Sequence, residues 1–173
     1  MDFRVEHHFD AISLDDFAML HFDEEFNRAM CADVGFARTL LEKVVVDGKL
    51  STEATIMPDK AIPKPVAKIL GVERMTHREL IEYDQATRRG TWKIEPGMFA
   101  ETFIIGGGFE LAALSATSVA RIYWGDFQVN LKGVGGWLEK LIVSEVERSY
   151  DAAIGFIQTY IDEINTGNIP KPR

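Results

Sequence analysis

The sequence predicts an α+β fold in which a seven-stranded, curved antiparallel sheet wraps around one long C-terminal helix, with two short helices after the first strand. Three observations predict it. From Trp137 to Asn165, the apolar residues Leu138, Ile142, Val146, Tyr150, Ala153, Ile157, Ile161 and Ile164 recur at steps of three and four, while Glu139, Lys140, Glu145, Glu147, Arg148, Asp151, Asp162 and Glu163 fill most of the remaining face. That is the period of a helix laying one stripe on a core. At about 1.5 Å per residue it spans roughly 40 Å, enough to cross a sheet. The segments before it read mostly as strands joined by short turns, and such strands pair antiparallel. The two segments that break this pattern come directly after the first strand and carry helix signals. A sheet covered on one face by a long helix is a curved α+β grip, and a sheet curled around so long a helix tends to leave a cavity.

The elements follow in order. Phe3, Val5, His7 and Phe9 alternate with Arg4, Glu6 and His8, the pattern of a half-buried strand. Ser13 stands as a helix cap, with Asp15 and Asp16 where the helix dipole favours acids. Leu14, Phe17, Leu20 and His21 make the first helical segment; Phe26, Ala29 and Met30 make the second, ending near Gly35. Residues 37 to 46 are β-rich, and Asp47-Gly48 signals a hairpin into Lys49 to Met57. Pro58 to Gly71 breaks the strand pattern with its prolines. Strand character resumes from Glu73 to Tyr83, from Thr91 to Glu95, from Met98 to Ala113 and from Val119 to Leu131. The triplet Gly106-Gly107-Gly108 predicts an interruption, bend or bulge in the long strand. Gly133, Gly135 and Gly136 make a corner before the closing helix. Residues 1 to 165 read as a single domain and residues 166 to 173 as a flexible tail.

Composition excludes several classes. A chain of 173 residues can bury about 70% of its unfolded surface. Its net charge of −8 argues against broad nucleic-acid binding, which needs a basic footprint. Cys31 is the single cysteine, so there is no internal disulfide and no cysteine zinc site. No signal peptide and no apolar run long enough for a bilayer is visible, so a cytoplasmic protein is the expectation.

The order of elements resembles the START/Bet v 1-like (SRPBCC) superfamily, the helix-grip fold of lipid, hormone and polyketide binders. Two stretches resemble more closely a bacterial family of uncharacterised proteins within it. They are Ala61-Ile62-Pro63-Lys64-Pro65-Val66-Ala67-Lys68-Ile69-Leu70-Gly71 and Gly133-Val134-Gly135-Gly136-Trp137-Leu138-Glu139-Lys140-Leu141-Ile142. The resemblance implies a cavity between sheet and helix for an apolar ligand. It implies no reaction, because the superfamily includes carriers, receptors and cyclases, and fold alone does not settle function.

Among residues able to carry chemistry, His7, His8, His21 and His77 lack metal-site spacing. His7 and His8 point to opposite faces of a strand, so one inward histidine tied by hydrogen bonds and one solvated histidine are expected. The triple glycine lacks the Lys-Ser/Thr of a phosphate loop, and no Gly-x-Ser-x-Gly elbow is present. No metal and no cofactor are expected.

Alternation supplies the most suggestive polar set. If Phe3 and Val5 face inward, so does His7; Met75, His77, Glu79, Ile81 and Tyr83 share one face of a strand, as do Val119, Arg121, Tyr123, Phe127 and Val129. On concave faces, these polar groups would sit among apolar neighbours and could hold a ligand's carboxylate or hydroxyl, or satisfy one another. The expected ligand-binding residues are His7, His77, Phe103, Arg121, Tyr123, Phe127 and Tyr150. A second candidate is the mid-chain loop, where Lys60, Lys64 and Lys68 lie beside Val66, Ile69 and Leu70. Such an element serves as a lid or as a transient contact with an anionic bilayer. The functional expectation is a carrier or sensor of a hydrophobic small molecule or lipid. The alternatives are a cyclase- or hydratase-type enzyme using His77 with Glu79, and a partner-binding module of the same fold.

Overall fold

A computed structural model describes residues 1–62, 64, 67–68, 71–98, 101–133 and 135–172 of the chain. The first strand, β1 (Asp2–Asp10), is followed by helices α1 (Leu14–His21) and α2 (Glu24–Asp33). The Ser13 hydroxyl accepts a hydrogen bond from the Asp16 amide at 3.2 Å, and the Asp23 carboxylate accepts one from the Phe26 amide at 2.8 Å. Each cap satisfies an amide that the first helical turn leaves without a partner. Strands β2 (Phe36–Val46) and β3 (Lys49–Pro58) form a hairpin whose turn places Asp47 at φ 50° and Gly48 at φ 76°. Both central residues are left-handed, as a two-residue turn between right-twisted strands requires.

Strands β4 (His77–Asp84), β5 (Arg89–Pro96), β6 (Phe103–Ser115) and β7 (Ser118–Val129) complete one seven-stranded sheet in the order β1-β7-β6-β5-β4-β3-β2, with every pair antiparallel. The last helix, α3 (Gly135–Thr166), has 32 residues, about 48 Å at the rise of an α-helix. Leu138, Ala153, Ile157 and Ile161 of the expected stripe are buried; Ile142, Val146, Tyr150 and Ile164 are partly buried and pack on the same core. The curved sheet and this helix make the helix-grip fold.

Two strand expectations are corrected. β4 begins at His77 rather than Glu73, because the Glu73 carbonyl accepts from the Ile62 amide at 2.8 Å and the Thr76 carbonyl from Gly97 at 2.8 Å. Those residues are committed to the incoming loop and the next turn. β6 runs unbroken through Gly106, Gly107 and Gly108, which keep register with β5 and with β7; the irregularity lies between Ala113 and Ser115. A Cβ on Gly107 would stand 2.0 Å from the Trp124 carbonyl oxygen, and one on Gly108 would stand 2.6 Å from the Trp124 ring. The glycines permit close approach of neighbouring strands rather than interrupting the ladder.

In the mid-chain loop, Lys60, Lys64 and Lys68 are exposed, while Val66, Ile69 and Leu70 lie outside the described residues. At the C-terminus, Gly167 adopts φ 80°, and the amides of Asn168 and Ile169 donate to the Glu163 carbonyl at 2.9 and 3.2 Å. No helix among the described residues is long and apolar enough to cross a membrane.

Candidate functional site

The concave face of the sheet is made by every second residue of each strand. On β1 these are Phe3, Val5, His7 and Phe9; on β7 they are Val119, Arg121, Tyr123, Phe127 and Val129. The β1–β7 register sets His7 directly opposite Arg121, and Val5 opposite Tyr123. From the other side, α3 lowers Tyr150 onto this pair, with ring centroids 5.1 Å from Tyr123 and 6.2 Å from His7. Of the seven residues expected to bind a ligand, His7, Arg121, Tyr123 and Tyr150 are therefore brought together.

An internal cavity of about 100 Å³ adjoins them, lined by Glu79 and Ile81 of β4, Trp92 and Ile94 of β5, Tyr123 and Phe127 of β7, and Val146 and Tyr150 of α3. Phe127 is thus on the wall. Phe103 is buried in the core opposite Val129 but stands off the wall, and His77, at the first position of β4, does too. Sequence reasoning missed Trp92, Ile94 and Val146 as wall residues. Val146 lies four residues before Tyr150 and hence on its face of the helix, which is a usable signal. A larger groove, about 210 Å³, lies at the far end of α3, where Asp16 and Lys171 line it. Their side chains are 42% and 68% exposed, whereas the smaller cavity is lined by the buried rings of Trp92, Tyr123 and Phe127 together with the partly exposed Glu79 and Tyr150.

The space between sheet and helix is largely filled. Phe9 stacks on Phe17 at 5.1 Å, Phe109 on Tyr123 at 5.1 Å and Tyr83 on Phe109 at 5.8 Å. The short helices supply part of this filling: Phe17, Leu20, Phe22 and Phe26 are all buried. An aromatic interior at native packing density leaves little void.

The electrostatics divide the interior into two parts. Around Glu79, the carboxylate accepts from Arg38 Nη1 at 2.5 Å, and Arg38 Nε donates to Glu24 at 3.1 Å. The two carboxylates raise the Arg38 pKa against the opposing effect of its burial. Cys31 lies in this neighbourhood, and burial together with Glu79 pushes its thiol up to about 11.

Around Arg121 the setting is different. Its guanidinium lies 5.4 Å from the Phe9 ring centroid, 5.5 Å from Tyr150 and 5.8 Å from Tyr123. Nη2 stands 3.1 Å from His7 Nδ1. A guanidinium can only donate, so His7 Nδ1 is the acceptor and Nε2 carries the proton toward Asp151, 3.5 Å away. Burial, and after it the Arg121 charge, lowers the His7 pKa. His8 on the opposite face is 58% exposed. His21 Nε2 meets the Tyr123 hydroxyl at 3.0 Å, and burial brings its pKa down to about 3. Burial also raises the Tyr123 and Tyr150 phenols. Both histidines and both tyrosines are neutral near pH 7; burial lowers the Arg121 pKa too, but a guanidinium starts so high that it is the one charge among them. Among the described residues, no three His, Cys, Asp or Glu side chains are grouped to hold a metal ion.

Several solved structures share this architecture. The Zhui aromatase/cyclase from Streptomyces sp. R1128 superposes with a TM-score of 0.66 over 95% of this chain and 96% of its own, at 15% identity. TTHA0849 from Thermus thermophilus does so at 0.61 over 93% and 97%, with 12% identity. Ara h 8.0201 does so at 0.59 over 92% and 98%, with 10% identity. At these identities the likeness is one of fold. No curated protein matches in sequence. Residues 4–161 match the family described as protein of unknown function DUF2505. The chain therefore belongs to the DUF2505 family.

Proposed function

We propose that the protein binds a hydrophobic small molecule between the sheet and α3, as a carrier or sensor. The observation that carries this reading is the inner cavity, with five aliphatic or tryptophan/phenylalanine side chains and three polar ones, Glu79, Tyr123 and Tyr150, on its wall. Small-molecule sites commonly combine apolar walls with a few placed polar groups. The fold neighbours include an aromatase/cyclase, which supports a small-molecule reading of this cavity.

The cavity's size bounds the ligand. At about 100 Å³ it is smaller than the ~150 Å³ dry cavity that accommodates benzene. A lipid chain therefore requires α3 or the loop residues to move away from the sheet; a ligand of one ring requires less. The wall residues that α3 supplies, Val146 and Tyr150, are only partly buried.

The cyclase-type alternative lacks its acid–base pair in this arrangement. The Glu79 carboxylate is held by Arg38 at 2.5 Å, and His77 stands off the cavity wall. A binding role needs neither group to exchange a proton.

Native mass spectrometry of the purified protein, followed by organic extraction, tests the reading. A stoichiometric apolar molecule, retained by the folded protein and released on denaturation, is the expected result. An empty protein that also fails to take up any member of a panel of lipids and aromatic compounds would overturn it.

A further inference from the structure

We propose that the ligand is an apolar monoanion, a hydrophobic body ending in a carboxylate, whose charged end is held by Arg121 and whose body occupies the cavity beside Tyr123 and Tyr150. This deepens the ligand-binding reading and rests on it. The reason lies in what surrounds the guanidinium. Arg121 is 3% exposed, and withdrawing a charge from water is costly unless it is paired and hydrogen-bonded. Yet no carboxylate among the described residues forms an ion pair with it. Its Nη2 has the neutral His7 as partner at 3.1 Å, and its buried Nε has no acceptor.

The groups that face it offer no compensating charge. Phe9, Tyr123 and Tyr150 present ring faces, which attract a cation weakly compared with an anion. His21 is held neutral on the far side of Tyr123. Asp151 is reached only through His7, and its carboxylate is 72% exposed. Glu79, on the opposite cavity wall, already accepts from Arg38 at 2.5 Å. One positive charge is thus left over; Arg121 does not itself line the cavity but lies against the Tyr123 and Tyr150 rings that do, so an anion reaches its planar fork of N–H donors when the Tyr150 ring shifts with α3.

A single negative charge balances it, and the planar carboxylate is the monoanion whose geometry fits that fork. The bound acid would accept from Nε–H, the guanidinium nitrogen that is buried without a partner, while its apolar part contacts Tyr150, Phe127 and Val146. Arg121 is then a binding residue, and His7 positions it through the Nδ1 contact.

The test compares sodium octanoate with 1-octanol, which share a tail that enters only as α3 moves from the sheet and which differ in charge, by calorimetric titration of the full chain at pH 8. Octanoate is expected to bind at least about tenfold more tightly, the size of one charge-assisted hydrogen bond. Arg121→Met should abolish that preference by weakening octanoate far more than octanol, and Arg121→Lys should retain only part of it. Equal affinity of the parent for acid and alcohol overturns the proposal and leaves the cavity reading standing, as does a preference that survives in Arg121→Met. Failure of both compounds to bind overturns the proposal, and the cavity reading is then decided by the wider panel of lipids and aromatic compounds. Should Arg121→Met not fold, the acid-to-alcohol ratio of the parent decides.

Discussion

Arg38 and Arg121 are both withdrawn from water, at 9% and 3% exposure, and both lie inside the grip, but their partners differ in kind. Arg38 bridges two carboxylates, Glu24 from α2 and Glu79 from β4. Arg121 meets a neutral imidazole and three ring faces. The first arrangement is complete within the chain and ties a short helix to the sheet. The second is satisfied only in part, and an unsatisfied buried charge in a folded protein invites an external partner. The contrast separates structural polarity from polarity available to a ligand, although both would look alike as buried arginines in a sequence.

The comparison breaks most visibly through Arg38. Arg38→Met leaves Glu24 and Glu79 without their common cation, and the protein is expected to lose about 3 kcal/mol of stability in urea denaturation. A loss below about 1 kcal/mol would mean that the carboxylates re-solvate freely and that the cluster holds nothing together.

The next effect is one of pH. His21 has its pKa lowered to about 3 in the folded protein, against about 6.5 in an unfolded chain. Between these values the unfolded state binds the extra proton, so the contribution of a neutral His21 is fully present above about pH 6.5 and is lost as pH falls, by about 1.4 kcal/mol per unit for each such proton. His7, whose pKa is also lowered, acts in the same direction. Protonation of either would add a second cation beside Arg121. Urea titrations between pH 7 and pH 5 should show this slope, and His21→Gln should remove one proton's share of it. An unchanged slope in that variant would show that His21 is already solvated in the native state.

The smallest effect is expected at Arg121 itself. Arg121→Met, without ligand, should change stability by no more than about 1 kcal/mol, because the substitution removes an uncompensated buried charge and keeps an apolar side chain of similar length. A loss as large as that of Arg38→Met would show that the three rings and His7 satisfy the guanidinium internally, and the contrast between the two arginines would collapse.

How much of this was legible in the sequence depends on the range of the interaction. Alternation put His7, Arg121, Tyr123 and Phe127 on inward faces, and the structure places them there, because a strand's side-chain period is two and an apolar face fixes its phase. Phe103, also expected to bind the ligand, is buried, yet it lies off the cavity wall, since burial selects a face and not a depth along it. His77 illustrates the same gap. The pairing of Arg38 with Glu79 spans 41 residues, and no local pattern announces it. The triple glycine reads locally as an interruption because the cause of its composition, the backbone of Trp124 and Gly125 pressed against Gly107, belongs to another strand.

By itself the sequence determined the order and type of elements, the inward faces of the strands and the apolar stripe of the last helix, all consequences of periodicities and caps acting over a few residues. Tertiary structure alone decided that aromatic side chains from the strands and the short helices together would fill most of the grip and leave about 100 Å³, that Arg38 would be neutralised, and that Arg121 would not. Those outcomes depend on which side chains meet across strands and helices far apart in the chain, where packing and desolvation, rather than local propensity, set the free energy.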